Sequence, residues 1–460
     1  MLITVAVFSS PRRLPAEENS RPNVLFLFTD DQRADSIAAL GNPEIKTPNL
    51  DRLAKSGFVF RNAYCMGSTM GAVCNPSRHM LLSGRSLFRY DPKKKVGTLG
   101  DVFRRAGYES FHLSKRGNTA QTYHTAFEHS GYLEDNRVRA SGEHGKTAAD
   151  ETITFLKSRD IDRPFFVYLG FAGPHDPRVA SAKWMDLYQR AEIPLPKNYK
   201  PYHSFDNGEL LVRDERLAPW PRTEEVVRKH LHDYYACISS IDFNIGRILQ
   251  TLEELGVFDN TIIVFSSDHG LAIGSHGLFG KQSVYEHSMN SPLIFCGPGI
   301  KAGSSDAFAY LFDIFPTLCG LTKTPIPQDL DGKNLAPIIC GEQASVRDSI
   351  FLAYKDVQRA VRKGDWKLIR YPQVDVTQLF NLIDDPDELE NLADTPDFAA
   401  KRAELLDLLI QQQKQFDDPN PLQVAQPKAA QVDLAYFQKA LDKDAKKKDS
   451  EKPKSGAANK

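Results

Sequence analysis

The chain contains four short apolar runs in which hydrophobic residues follow one another almost without interruption. Such runs are typical of strands buried on both faces, whereas half-buried strands alternate apolar and polar residues. Each run is therefore predicted to be a strand in the interior of a sheet. The runs are VLFLF (24–28), FFVYLGF (165–171), TIIVFSS (261–267) and PLIFC (292–296).

Segments with helical periodicity separate these runs. Residues 47–57 begin with a threonine cap and a proline and end at a glycine, and residues 98–108 follow a similar order. The longest predicted helix, residues 224–255, carries one continuous apolar stripe and ends before Gly256. Strands that alternate with helices predict an α/β fold with a mostly parallel central sheet.

The pattern changes toward the C-terminus. Residues 346–438 contain short strands, a hairpin turn at KGD (363–365) and a helix near residues 397–416. They are therefore predicted to form a smaller C-terminal α+β subdomain with a small antiparallel sheet. Residues 439–460 are lysine-rich, repetitive and free of large apolar side chains, and are predicted to be disordered.

Polar residues follow directly after several predicted strands, including a further short run, SFHLS (110–114). The carboxyl ends of parallel strands lie at one edge of a sheet, and α/β proteins bind their ligands there. We therefore expect these side chains to converge on one site. They are Asp30, Asp31, Lys115, His175, Asp268 and His269.

Three of these residues are carboxylates, which repel one another unless positive charge lies between them. Asp30 and Asp31 alone would be read as a helix cap, but Asp268 arrives from another strand and brings His269 with it. Hard oxygen ligands favour Ca²⁺ or Mg²⁺, whereas imidazole is more common around manganese or zinc. The pattern predicts a divalent cation site, with Ca²⁺ preferred over Mg²⁺ and Mn²⁺.

The segment MGAVCNPSRHMLLSGR (70–85) places a cysteine at the start of a predicted helix. Asn75 can cap that helix and Pro76 suits its first turn, so Cys74 lies beside the N-terminus. A helix N-terminus and two nearby arginines suit an anionic substrate such as a sulfate or phosphate ester, and they also suit a thiolate. A thiol is a poor partner for a hard cation, which indicates that sulfur is not the reacting atom.

The stretch CNPSRHMLLSGR, from Cys74 to Arg85, resembles the C/S-x-P-S-R-x-x-x-L/M-T/S-G-R signature of the type I sulfatases of the alkaline phosphatase superfamily. Further matches follow in chain order: RPNVLFLFTDDQR, AGPHDP, SSDHGLAIGSHGLFGK, QRAVRKGDWKLI and LFNLIDDPDELENLA. The resemblance covers about residues 22–415. It implies an alkaline-phosphatase-like sandwich, with residues 22–345 as the sulfatase catalytic domain.

The resemblance also implies a chemistry. In this family a maturation enzyme oxidises the signature cysteine to formylglycine, so Cys74 would be modified and that enzyme would be a partner. Residue 74, Asp30, Asp31, Asp268 and His269 would hold the cation. A hydroxyl of the hydrated formylglycine would attack sulfur.

The same resemblance assigns the remaining candidate residues. His175 would protonate the leaving alcohol oxygen as a general acid. Arg78, Lys115 and Lys281 would stabilise negative charge on the sulfuryl oxygens and on the formylglycine.

One position departs from the family pattern. The family usually carries a histidine two or three residues after the lysine at position 115, but Gly117 and Asn118 occupy these positions. That histidine helps to position the formylglycine hydroxyl. His112, His124 and Asn118 are the candidates to replace it.

The sequence leaves alternatives to a sulfuric-ester hydrolase open. A phosphodiesterase or phosphonate monoester hydrolase of the same superfamily would use the same nucleophile, and a non-catalytic calcium-binding relative would keep an unmodified thiol. A sulfated saccharide is the preferred substrate, because the loop-like segment 178–222 is rich in aromatic residues that stack on sugars. These residues are Trp184, Tyr188, Tyr199, Tyr202 and Trp220.

The composition argues against several classes of protein. The 460 residues include 58 basic and 59 acidic side chains, which gives no sign of a nucleic-acid-binding protein. No apolar run approaches the roughly 20 residues of a membrane span, and the six cysteines contain no C-x-x-C pair that would suggest structural zinc. The apolar stretch LITVAVFSS within residues 1–21 is similar to a secretory signal and predicts a periplasmic or secreted protein.

Overall fold

The computed structural model describes residues 21–134, 141–439 and 442. The predicted lead-in at residues 1–21 lies outside the described residues except for Arg21. The predicted disordered tail at residues 439–460 lies outside them except for residues 439 and 442.

Strands account for both sheets of the described chain. They are β1 (Asn23–Asp30), β2 (Phe58–Tyr64), β3 (Gly67–Ser68), β4 (Glu109–Lys115), β5 (His129–Leu133), β6 (Phe165–Pro174), β7 (Thr261–Ser267), β8 (Asn290–Cys296), β9 (Gly303–Tyr310), β10 (Ser349–Tyr354), β11 (Gln358–Lys363), β12 (Trp366–Tyr371) and β13 (Val376–Asn381). The four apolar runs and the SFHLS run all lie within strands, as predicted.

Helices connect most of these strands. They are α1 (Pro48–Ser56), α2 (Cys74–Ser83), α3 (Leu99–Arg105), α4 (Gln121–His124), α5 (Lys146–Ser158), α6 (Ala182–Met185), α7 (Glu224–Glu254), α8 (Glu286–Met289), α9 (Ile314–Leu321), α10 (Ala336–Ile339) and α11 (Ala399–Gln415). None of the helices that the structure describes has both the length and the apolar character needed to cross a bilayer.

The large sheet has eight strands in the order β5-β4-β6-β1-β7-β8-β2-β9. The five strands from β5 to β7 run parallel to one another. β8 runs antiparallel to both β7 and β2, and β9 is parallel to β2. The prediction of a mostly parallel central sheet is therefore confirmed.

Alternate residues of the central strand β1 face opposite sides of the sheet, as strand geometry requires. Val24, Phe26 and Phe28 belong to one hydrophobic cluster, whereas Leu25 and Leu27 belong to another that also contains the apolar face of α7. Both faces of β1 are covered, which explains why its sequence is continuously apolar. The arrangement is a three-layer α/β sandwich.

The small sheet has the order β13-β12-β11-β10-β3, and the strands from β10 to β13 form an antiparallel meander. β3 joins this sheet in parallel to β10, just before α2 begins. At Gly67 φ is 115°, and an added Cβ would overlap the carbonyl of Ala353. The smaller C-terminal α+β subdomain is confirmed, and through β3 it is attached directly to the segment that carries Cys74.

Candidate active site

Four adjacent parallel strands, β4, β6, β1 and β7, deliver polar residues to one edge of the large sheet. β4 ends at Lys115 and β1 at Asp30, while β6 and β7 end immediately before His175 and Asp268. Thr29 pairs with Ser267 in the β1–β7 ladder, which places the next residues of both strands side by side. The predicted convergence follows from strand order.

The carboxylates of Asp31 and Asp268 are held together at this edge. Asp31 adopts a left-handed backbone conformation with φ of 71°. Its amide N–H donates a 3.0 Å hydrogen bond to Oδ1 of Asp268. Nε2 of His269 lies 3.6 Å from Oδ1 of each of these carboxylates. All three side chains are buried.

His269 directs Nε2 of its ring at this cluster. Its Nδ1 lies 2.8 Å from the carbonyl oxygen of Gly270, which can only accept a hydrogen bond, so Nδ1 carries the proton. The other ring nitrogen, Nε2, then faces the carboxylates. A backbone acceptor on one nitrogen is the usual way in which proteins orient a metal-binding histidine.

Asp30 has one oxygen bound by protein groups and one without a partner. Its Oδ2 accepts a 2.7 Å hydrogen bond from Nδ2 of Asn118 and lies 3.5 Å from Nζ of Lys115. Oδ1 is buried and has no hydrogen-bond partner in the described part of the chain. Burial raises the pKa of Asp30, but Lys115, His175 and Arg78 outweigh it and hold the pKa well below its usual value.

The cluster therefore suits a divalent cation. Ligand atoms of Asp30, Asp31, Cys74 and His175 lie within 4.8 Å of one another, and so do those of Cys74, Asp268 and His269. A buried carboxylate oxygen without a partner is unfavourable unless something positive binds it. Three carboxylates and one imidazole supply ligands of the kind that hard divalent cations take in proteins.

Cys74 is the first residue of α2, with Val73 as the N-cap. The expectation that Asn75 caps this helix is wrong, because Nδ2 of Asn75 donates instead to the carbonyl of Gly117. Sγ of Cys74 lies 3.1 Å from Nζ of Lys281 and 3.2 Å from Nε2 of His269. The side chain is therefore directed at the carboxylate cluster, as the sequence predicted.

The thiol itself is not activated at this position. Burial, followed by the charge of Asp30, raises the pKa of Cys74 well above its usual value, although Lys281 opposes them. The idea that this environment suits a thiolate is therefore wrong, because burial and the nearby carboxylates both disfavour the ionised thiol.

Three cations surround this centre. Arg78 is fully buried, and its Nη2 lies 3.2 Å from Oδ2 of Asp268. Lys281 donates from Nζ to Oδ1 of Asp31 at 2.7 Å. Burial lowers the pKa of Lys281, but the charge of Asp31 outweighs it and raises the pKa well above its usual value. Lys115 is the third cation. The positive charges of the three side chains offset negative charge on the carboxylates of the cluster.

His175 borders the centre from the loop that follows β6. Nδ1 of its imidazole lies 2.7 Å from the carbonyl of Asp176 and therefore carries the proton. Nε2 lies 4.0 Å from Oδ2 of Asp31. The carboxylate of Asp176 is bound by both Nη atoms of Arg213, which anchors the loop that carries His175.

The structure distinguishes among the candidates to replace the absent histidine. Nδ1 of His112 pairs with Nδ1 of His124 at 2.7 Å, and the ring of His112 stacks on Tyr168 in the core. Neither histidine has a contact with the carboxylate cluster. Asn118 does, through Asp30, and its place after Lys115 was the signal that singled it out.

Sequence reasoning missed several residues that support the site. Tyr234 of α7 donates to the carbonyl of Asp31 at 2.8 Å, and Oδ2 of Asp214 lies 4.0 Å from Nζ of Lys281. Neither residue lies in a sequence pattern that indicates a role in the site. Two residues of the proposed aromatic rim, Trp184 and Tyr188, are buried in the core beside α7 instead.

Comparisons with known proteins agree with this geometry. The sulfatase family model matches residues 22–324, and the model for the C-terminal region of N-sulphoglucosamine sulphohydrolase matches residues 274–415. An N-acetylglucosamine-6-O-sulfatase from Bacteroides thetaiotaomicron is 28% identical, with 91% of this chain and 90% of that protein covered.

Solved structures show the same fold. One, in complex with its substrate D-glucosamine-2-N,6-O-disulfate, superposes with a TM-score of 0.74 at 25% identity and covers 88% of this chain and 99% of its own. The phosphonate monoester hydrolase of Agrobacterium radiobacter superposes with a TM-score of 0.71 at 23% identity, covering 86% and 96%. The latter likeness concerns the fold alone.

A sandwich of this topology, with its carboxylate cluster at the edge of the sheet, defines a hydrolase of the alkaline phosphatase superfamily. The chain belongs to the sulfatase family, whose reaction is the hydrolysis of sulfate esters.

Proposed function

We propose that this protein removes sulfate from a sulfated saccharide, with Cys74 converted to formylglycine and a Ca²⁺ ion bound beside it. The observation that carries the proposal is the convergence of Asp30, Asp31, Asp268 and His269 on the side chain of Cys74. The hydrated aldehyde supplies a hydroxyl nucleophile, and the ion supplies positive charge next to the sulfuryl oxygens.

Cationic side chains around residue 74 fit the role of binding the negatively charged sulfate group of the substrate. Nζ of Lys281 lies within hydrogen-bond distance of the Cys74 side-chain atom, so it fits a role in orienting the oxygen that replaces sulfur. Lys115 and Arg78 contribute fixed positive charge on the side of Asp30. Preorganised charges in a buried site stabilise negative charge that develops in a transition state.

His175 fits the role of general acid. Because Nδ1 is committed to the carbonyl of Asp176, only Nε2 can deliver a proton to the leaving oxygen. Asp268 fits the role of the base that accepts a proton from the nucleophile. Burial raises the pKa of its carboxyl, His269 lowers it, and the charge of Asp30 raises it further, so that the net shift is upward.

A sulfated saccharide is the substrate class that the relatives favour. The Bacteroides relative is named for a sulfate on N-acetylglucosamine, and the solved structure contains a disulfated glucosamine. We also propose residues 22–345 as the catalytic domain and residues 346–438 as its subdomain. Export to the periplasm or medium and maturation by a formylglycine-generating enzyme complete the proposal.

The deciding experiment is mass spectrometry of the peptide that contains Cys74, from protein produced with a formylglycine-generating enzyme. We expect the mass of formylglycine at position 74 and turnover of sulfated monosaccharides. The matched control is Cys74→Ala, which should have no turnover. An unmodified thiol in a competent host would contradict the proposal and favour a non-catalytic cation-binding relative. Faster turnover of phosphonate or phosphodiester substrates than of sulfate esters would favour the alternative chemistry.

A further inference from the structure

Among the residues that the structure describes, no carboxylate pairs with the buried side chain of Arg178. Arg178 lies three residues after His175, and its residue exposure is 9%. Nε and Nη2 are both fully buried, and neither has a hydrogen-bond partner among the residues that the structure describes. A guanidinium cannot lose its proton in a protein, so its burial is costly until an acceptor is found.

Other buried arginines of this chain differ from Arg178 in this respect. Arg78 lies 3.2 Å from Asp268, Arg222 is paired with Glu215 at 2.8 Å, and Arg359 is paired with Asp418 at 2.6 Å. Each has a carboxylate partner within the chain. The fold thus supplies an anion to these guanidinium groups but not to Arg178 among the described residues.

The surroundings of Arg178 do not compensate its charge. Its guanidinium carbon lies 5.6 Å from the ring centre of Tyr234 on α7. His230, one turn earlier on α7, is neutral because burial and the charge of Arg178 lower its pKa to about 4. Asp233, the nearest acidic residue of α7 in sequence, is already bound by Lys229 at 2.6 Å.

Arg178 is connected to the reacting centre through Tyr234. The hydroxyl of Tyr234, whose ring packs against the guanidinium, donates to the carbonyl of Asp31. The segment that carries Arg178 is continuous with His175. If His175 protonates the leaving oxygen, the sugar lies beside His175, and Arg178 is three residues further along the same segment.

We propose that Arg178 binds a second anionic group of the saccharide, a sulfate or a carboxylate other than the sulfate ester that is cleaved. A guanidinium recognises either oxyanion through parallel hydrogen bonds, and an aromatic ring beside it limits access of water. The inference rests on the proposed function and narrows its substrate class to saccharides with more than one anionic group.

The test compares substrates that differ by one charge. D-Glucosamine 6-O-sulfate, D-glucosamine-2-N,6-O-disulfate and a 6-O-sulfated glucosamine linked to a uronic acid would be assayed with wild type, Arg178→Met and Arg178→Lys. For Arg178→Met we expect kcat/KM to fall about 10- to 100-fold on a substrate with the second anion and less than about 3-fold on the monosulfate. The two doubly anionic substrates distinguish sulfate from carboxylate.

Arg178→Lys keeps the charge and should retain part of the preference for the second anion. The matched control is Arg228→Met, which removes an arginine of α7 that already contacts Glu224. It should leave the ratio of the substrates unchanged. Equal losses on all substrates with Arg178→Met, or no loss on any, would overturn the proposal.

A binding measurement separates this inference from the proposed function. Titration calorimetry of Cys74→Ala with D-glucosamine 2-N-sulfate, which lacks the cleavable ester, should show binding that weakens about 10-fold or more in the added Arg178→Met background. If wild type hydrolyses no sulfate ester, the proposed function fails, and this titration still decides whether Arg178 binds an anion. Binding that is indifferent to Arg178 would overturn the inference alone.

Discussion

Among single residues, Asn118 has the clearest assignable effect on the centre. Its Nδ2 donates a hydrogen bond to Oδ2 of Asp30. Oδ1 of the same carboxylate has no hydrogen-bond partner among the described residues. Asn118 therefore fixes which oxygen of Asp30 faces the other carboxylates. Residues that orient metal ligands in this way typically contribute 10- to 100-fold to metal affinity or activity.

We predict that Asn118→Ala lowers kcat/KM toward a sulfate ester about 10- to 100-fold and weakens Ca²⁺ binding by a similar factor, because Asp30 loses its fixed orientation. Calcium titration of the purified protein, together with initial rates, measures both. Asn75→Ala is the matched control, since Asn75 anchors the same loop through Gly117 without a contact to Asp30. Equal effects of the two substitutions would mean that only loop anchoring matters.

Among the secondary-structure elements, α1 is capped at its start by a side chain of α7. Thr47 has the sequence of an N-cap, yet its side chain makes no cap hydrogen bond. Asp242 of α7 accepts instead from the backbone N–H groups of Asn49 at 3.2 Å and Leu50 at 2.7 Å. The free N–H groups of α1 are therefore satisfied by a distant part of the chain.

We predict that Asp242→Ala destabilises the protein by about 2 kcal/mol, because the amides of the first turn of α1 lose a buried charged acceptor. Differential scanning calorimetry should show a lower Tm. The matched control is Glu253→Ala, which removes an exposed ion pair between α7 and Arg52 of α1. Exposed pairs contribute little, so this control should hardly move Tm. A control as destabilised as Asp242→Ala would refute the assigned role.

For the whole molecule, a cation bound at the carboxylate cluster would contribute to stability. Burial raises the pKa of Asp31, but Lys281 and His175 outweigh it, so the carboxyl is ionised at neutral pH. An ion that binds only the folded chain stabilises it by about 2.7 kcal/mol at a concentration 100 times its Kd.

We predict a higher Tm in millimolar Ca²⁺ than in EDTA, with a smaller rise in Mg²⁺. Scanning calorimetry of the wild type in each buffer is the measurement. Asp31→Asn and Asp268→Asn should each abolish most of the rise, whereas Asp306→Asn, on the exposed edge of β9, should preserve it. Identical Tm values in Ca²⁺ and EDTA would count against a cation site.

Three buried histidines give the whole molecule a pH dependence. Burial lowers the pKa of His203 to about 4 and of His276 to about 3, and holds that of His287 well below its usual value. Neighbouring positive charges, among them Lys200 and Lys367, act in the same direction. In the unfolded chain these histidines titrate near about 6.5.

Between the lowered pKa values of the folded protein and the value of about 6.5 in the unfolded chain, the unfolded chain binds more protons than the folded one. The free energy of unfolding therefore falls as the pH drops below about 6.5. Each histidine should destabilise the fold by about 2 kcal/mol at pH 5 relative to pH 8. We predict a steep fall of Tm from pH 7 to pH 5 and a shallower fall for His276→Gln. His129→Gln, which removes a histidine with a half-exposed side chain, is the control. Equal slopes for wild type and His276→Gln would contradict the prediction.

The sequence by itself determined the large elements and which polar residues reach one edge of the large sheet. The runs at residues 24–28, 165–171 and 261–267 could be assigned to buried strands because hydrophobicity on both faces leaves no other place for them. Once these strands are parallel, Asp30, His175 and Asp268 must reach the same edge of the sheet. This inference needs only local pattern and the direction of the strands.

Tertiary structure alone decided the partners of each side chain. Sequence could not show that Asp242 caps α1 or that Asn118 rather than His112 reaches Asp30. Nor could it show that Arg178 is buried without a carboxylate partner in the described part of the chain. Hydrogen-bond partners and pKa values depend on distances of a few ångströms between residues far apart in the chain. Residue type and spacing do not set these distances, because packing of the whole molecule does.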